Sequence, residues 1–174
     1  AHLPFNSCYS VTDGGDKVYC ATKYAVFSYD KDDQSVERLT KVTPLSDIGV
    51  SRIQYNKSLN MLVVAYSNGN IDLLENGSVT NISDIKRKTM PGNKTINNIL
   101  FVGNKAYLSC GFGIVLLDLV KKEIKDTYFI GPNGTHIEVC DLATNGEKLY
   151  AATESGVYEA DLNNPFLSNY QSWT

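Results

Sequence analysis

The chain has 174 residues, 43% of them hydrophobic, enough for one domain-sized core. Its net charge of -3 gives no footprint for nucleic acid. No run of 18 apolar residues occurs, so no membrane-spanning helix is expected, and Ala1-His2-Leu3-Pro4 reads as a mature start.

Short β-strands are expected from the first residues onward. Those of the first group fall at 8–12, 17–22, 26–29 and 35–39, and Asp13-Gly14-Gly15-Asp16 is a strong hairpin signal between the first two. A second group reads as 52–55, 61–66, 70–74 and 78–82, with Asn68-Gly69 and Asn76-Gly77 as turns. A third reads as 97–101, 105–110, 114–119 and 123–129, and a fourth as 138–143, 148–153, 157–160 and 166–173. The longest helical candidate, 83–88, is soon interrupted by Met90-Pro91-Gly92, and is read as a loop between groups. The other connectors are 41–49 and 131–136.

The four groups are one sentence written four times. Tyr19, Val63, Tyr107 and Tyr150 stand 44, 44 and 43 residues apart. Six residues after each come Ala25, Gly69, Gly113 and Gly156; eleven after three of them come Asp30, Asp118 and Asp161, while Asp72 arrives two early. A period near 43 built from short strands is the signature of β-propeller blades. The glycine serves a tight hairpin, which needs a positive φ or a close backbone approach, so the turn at Ala25 must differ. The expected architecture is a single all-β domain over 1–174, with four-stranded blades at about 7–40, 51–82, 96–130 and 138–173. Four blades in an open arc would leave the apolar faces of the first and last uncovered. The chain is therefore expected to be part of a larger propeller, completed by further sequence or by self-association through those open edges.

Catalytic patterns are missing: there is no G-x-S-x-G, H-E-x-x-H, phosphate-binding glycine loop or sialidase aspartate box. Asp30, Asp118 and Asp161 recur by blade, whereas a site is made once; they read as turn-forming side chains. Four cysteines at 8, 20, 110 and 140 have no metal spacing and read as buried thiols inside strands rather than disulfides. His2 and His136 are too few and isolated for a zinc site. N-x-S/T sequons at Asn76, Asn81, Asn93 and Asn133 are chance matches in a turn-rich chain.

The candidate ligand site is the inter-blade loop 83–95, with Lys86, Arg87, Lys88 and Lys94 in an otherwise acidic protein. Connectors between blades share a face with the turns between second and third strands. That would gather the loop with Tyr24, Asn68, Phe112 and His136. Such cations suit phosphate or carboxylate groups on a glycan or lipid head group; the plainer reading is a solvated loop. Phe112, between Gly111 and Gly113, is either a sugar-stacking platform or a plug against the next blade. Trp173 is expected at the rim of the fourth sheet or against a further blade.

Several strings are similar to a known family. They are Ser67-Asn68-Gly69-Asn70-Ile71-Asp72-Leu73-Leu74, Lys94-Thr95-Ile96-Asn97-Asn98, AYLSCGFGIV over 106–115, and Asp126-Thr127-Tyr128-Phe129-Ile130-Gly131, with His2-Leu3 and Leu45-Ser46-Asp47. Together they resemble the N-terminal β-propeller of PorZ-like proteins, surface components of the type IX secretion system. The resemblance implies a long exported protein of two propellers and a β-sandwich-like domain. It implies a place at the outer membrane or cell surface, linked to attaching cargo to anionic lipopolysaccharide alongside other secretion-system surface proteins. It also shades into the periplasmic propellers of hybrid two-component sensors, which use repeats such as Ala151-Ala152-Thr153-Glu154-Ser155-Gly156-Val157-Tyr158. The expectation is a non-catalytic binding and assembly module without cofactor, nucleic acid or direct membrane span. A ligand-sensing propeller and a propeller carbohydrate-active enzyme are the alternatives.

Overall fold

A computed structural model describes residues 7–39 and 44–174. His2 and Leu3, and the connector as far as residue 43, lie outside the described residues. The contacts divide the chain into two compact units, Ala1–Lys86 and Arg87–Thr174.

The first unit holds two antiparallel meanders. One is β1 (Ser10–Asp13), β2 (Lys17–Ala21), β3 (Val26–Asp30) and β4 (Val36–Leu39), in that order across the sheet. The other is β5 (Val50–Asn56), β6 (Met61–Tyr66), β7 (Ile71–Glu75) and β8 (Ser78–Ile82). Every residue of β6, MLVVAY, is buried, which is why the apolar run there is continuous rather than alternating. The core between the two sheets gathers Ala21, Val26, Leu45, Val50, Ile53, Leu62, Val64 and Tyr66.

The second unit repeats the plan. Its first sheet is β9 (Ile96–Val102), β10 (Lys105–Cys110), β11 (Gly113–Asp118) and β12 (Glu123–Tyr128). Its second has three strands, β13 (Val139–Thr144), β14 (Lys148–Thr153) and β15 (Gly156–Asp161). These four sheets are propeller blades. Their inner strands clasp one another at the distance of one repeat. In the first unit Ser10 Oγ accepts from Ile53 N (3.2 Å) and Thr12 Oγ1 from Tyr55 N (3.0 Å), each 43 residues away. In the second, Asn97 Nδ2 donates to the Val139 carbonyl (2.9 Å) and Asn98 to Asp141.

The recurring aspartates act on local backbone. Asp30 Oδ1 accepts from Asp32 N (3.0 Å), Asp161 Oδ1 from Asn163 N (2.8 Å), and Asp118 Oδ1 from Val120 N and Lys121 N. At Ala25 the turn does differ. The Thr22 hydroxyl accepts from Ala25 N (3.1 Å), and Thr22 N donates to the Ala25 carbonyl (2.8 Å), so this turn closes without a glycine.

Three expectations need correction. Residues 166–173 do not form a fourth strand of the last blade. Asn164 Oδ1 accepts from Phe166 N and Asn169 Oδ1 from Gln171 N, which bends the chain into turns and a 3₁₀ turn at Tyr170–Ser172. Only Thr174 pairs with β15, exchanging both backbone hydrogen bonds with Glu159 (2.8 and 3.0 Å). Trp173 is therefore a core residue, 5% exposed, with Nε1 donating to the Leu167 carbonyl (2.9 Å). Within 83–88 a one-turn helix, α1 (Asp84–Arg87), forms around buried Ile85. All four cysteines are free thiols, but only Cys110 is buried; Cys8, which precedes β1, and Cys140, at a bulge of β13, are exposed.

Candidate functional site

In the first unit the loop end is built around two carboxylates. Asp47 precedes β5 and is 6% exposed. Its Oδ2 accepts from Lys86 Nζ (2.6 Å) on α1, from Asn68 Nδ2 (2.8 Å) in the β6–β7 turn and from Asn70 Nδ2 (3.3 Å). Burial alone would raise this carboxyl, but the bonds from Lys86, Asn68 and Ile48 N outweigh it and hold the pKa at about 2. Asp72, fully buried in β7, accepts from the Tyr66 hydroxyl (2.6 Å), Ser46 N (2.7 Å) and Asn81 Nδ2 (2.8 Å). Burial and then the bond to Asp72 push the Tyr66 phenol far above its usual value. This network ties the connector before β5 and α1 to the second sheet.

Sequence reasoning missed that network. Asp72 is noted in the sequence only as arriving two residues early in the repeat; it lies inside a strand, directly opposite Asn81. Its arrival two residues early was the available signal: a displaced aspartate cannot serve the same turn.

The sequence-derived candidates separate between the units. Lys86 belongs to the first, with its ammonium held by Asp47. Asn68 shares that carboxylate, and Tyr24, 62% exposed, has Lys23 Nζ 5.8 Å from its ring centroid. Arg87, Lys88, Lys94, Phe112 and His136 belong to the second unit. Arg87 and Lys88 are exposed, and Lys94 Nζ donates to the Lys88 carbonyl (2.6 Å). Phe112 and His136 do come together, with ring centroids 6.3 Å apart, and His136 stacks on Phe129 at 4.7 Å and 21°. Phe112 is only 2% exposed, so of its two suggested roles the plug fits its position. Gly111 N donates to the Thr95 carbonyl (3.1 Å), which seats the end of the basic loop beside Phe112. Among the described residues no three His, Cys, Asp or Glu side chains cluster as metal ligands.

The family model for the N-terminal β-propeller domain of the type IX secretion component PorZ matches residues 18–174. The chain belongs to the PorZ N-terminal β-propeller family. PorZ of Porphyromonas gingivalis, described as an essential bacterial surface component of the type IX secretion system, is a similar solved structure. It is 29% identical, with a TM-score of 0.85, over 99% of this chain and 23% of that one. The extracellular domain of a putative hybrid two-component system from B. thetaiotaomicron shares the fold, at 16% identity and a TM-score of 0.73, over 91% of this chain and 21% of that one. AztD from Citrobacter koseri does so at 14% and 0.62, over 90% of this chain and 45% of that one. No curated protein matches the chain. This PorZ-family chain thus spans about a quarter of the solved PorZ chain. Among the described residues no helix is long and apolar enough to cross a membrane.

Proposed function

We propose that this chain is the propeller module of an exported type IX secretion surface component. It acts without catalysis, docks other secretion-system surface proteins, and meets anionic lipopolysaccharide through the exposed side chains of Arg87 and Lys88. The observation that carries the reading is the family match over 18–174, reinforced by 29% identity to PorZ across nearly the whole chain. The four blades are part of a larger ring, since the matched PorZ chain is several times longer than this one. Arg87 and Lys88 are adjacent and exposed, and they supply the contact to phosphate or carboxylate groups.

The test is genetic and then biochemical. Deleting the gene in its own organism should strip type IX cargo from the cell surface, and the full-length wild-type gene should restore it. The full-length Arg87→Ala/Lys88→Ala protein should fold normally and bind purified lipopolysaccharide several-fold more weakly. Normal cargo in the deletion strain would overturn the secretion role. Unchanged binding by the double variant would remove these two residues from it.

A further inference from the structure

The first unit contains a cleft of about 630 Å³ that none of the loop-end residues lines. It opens between the first and second blades, towards their outer strands. Its volume falls within the range usual for small-ligand sites, about 300–1,000 Å³.

The cleft coincides with a side-chain difference between the repeats. Ser28, in β3, lies opposite the repeat anchor Tyr19. In the second unit the same place, opposite anchor Tyr107, is taken by Leu116. Leu116 packs there with Tyr107, Tyr128 and Leu149 in a continuous core. A hydroxymethyl group where a repeat neighbour has an isobutyl group leaves space and adds a polar atom. Ser28 is 3% exposed, and its hydroxyl has no hydrogen-bond partner among the described residues. The hydroxyl oxygen is open to the cavity rather than sealed in the core, so it is offered to whatever fills the cleft.

The other walls narrow the ligand class. Tyr19 and Tyr55 stack at 5.6 Å and 12° and form an aromatic wall. Neither phenol oxygen has a partner among the described residues. Burial, then the neighbouring Tyr55 and Glu37, push the Tyr19 phenol up, so it remains a proton donor. Leu62 and Leu74 supply apolar floor. The rim carries Lys17 and Arg38 against Asp16, Glu37 and Glu75, with Lys17 Nζ 3.8 Å from Glu37 Oε2, so its charges nearly cancel. An anion gains little here, and so does a cation. A ligand that matches must offer an apolar face to rings and leucines, and several hydroxyls to three protein hydroxyls, without net charge. That is the chemistry of a pyranose.

We infer that the cleft between the first two blades binds a neutral saccharide of one or two rings, held by Ser28, Tyr19 and Tyr55. The site is separate from the basic loop, and its fate does not depend on the lipopolysaccharide reading.

The experiment is saturation-transfer NMR on the full-length protein with glucose, galactose, mannose and maltose. Glucuronic acid and a leucyl-leucine dipeptide serve as competitors of other classes. At least one neutral sugar should show saturable transfer. Ser28→Leu, which places the second unit's side chain in the cleft, should abolish it. Ser28→Ala and Tyr55→Phe remove one hydroxyl each and keep the shape; each should raise Kd about 3- to 10-fold, the worth of one hydrogen bond. They carry the test if Ser28→Leu does not fold. Arg87→Ala/Lys88→Ala should leave sugar binding unchanged. Absence of transfer from all four neutral sugars overturns the inference. So does transfer that survives Ser28→Leu in a folded protein, a Kd left unchanged by both hydroxyl deletions, or a preference for glucuronic acid or the dipeptide.

Discussion

The first two blades and the last two are written with the same repeat and filled with different chemistry. Opposite the anchor tyrosine, the first unit has Ser28 and a cleft, where the second has Leu116 and a packed core. Five residues after the anchor, the first unit has Asn68 bound to a buried carboxylate; the second has buried Phe112 against Phe129 and His136. At the hairpin, the first blade closes on the Thr22 hydroxyl and Ala25, and the third on Gly113. The repeat therefore governs what the backbone requires: strand length, register and the place of each turn. Side-chain filling is free to diverge, because each wedge between sheets needs only to be filled or hydrated.

Exchanging the wedge residues breaks the comparison most severely. Leu116→Ser should cost about 3–5 kcal/mol, from the lost apolar burial, the cavity and a hydroxyl with no partner. Urea unfolding measures it. A loss below about 1 kcal/mol would mean that the second wedge is no better packed than the first.

The turns give a smaller contrast. Gly113 has φ 146°, and an added Cβ would collide with the Tyr128 carbonyl. Gly113→Ala should cost at least about 1–3 kcal/mol. Ala25→Gly, where the Thr22 hydroxyl already closes the turn, should cost no more than about 1 kcal/mol. Equal losses in thermal unfolding would show that the two turns work in the same way.

Much of the fold was legible because it depends on short-range chemistry. The strands β6, β8, β10 and β14 run over the very residues that their apolar pattern and flanking turns indicated. The turn aspartates were readable because each bonds to backbone two or three residues on. The last blade was misread because 166–173 looks like a strand in composition. Asn164 and Asn169 instead bond to local backbone, a competition that apolar counting does not register. The partners in the carboxylate network were illegible for another reason, although the displaced Asp72 marked the place. Asp47 meets Lys86 across 39 residues and Asp72 meets Ser46 across 26, and no local pattern encodes such pairs. Ser28 stood in plain view in the third strand of the first blade. Its meaning required knowing that Leu116 fills the same place.

The carboxylate end of the first unit also sets the subtlest difference between the two, a dependence on acid. The folded pKa of Asp47, about 2, lies below its ordinary value of 3.8. A folded state that binds its proton less readily than the unfolded chain gains stability as pH rises. The Asp47 contribution is therefore complete above about pH 4 and is lost as pH falls through about 2. The urea midpoint of the wild-type protein should fall across that window, and that of Asp47→Asn should fall less, the difference closing towards pH 2. The counterpart in the second unit is the Phe129 stack, which holds no carboxylate. Phe129→Leu should therefore lower the midpoint by the same amount at pH 4 as at pH 2. If Asp47→Asn shows the same flat offset, the Lys86 and Asn68 bonds do not favour the charged carboxyl, and the contrast between a polar and an aromatic loop end has no energetic content.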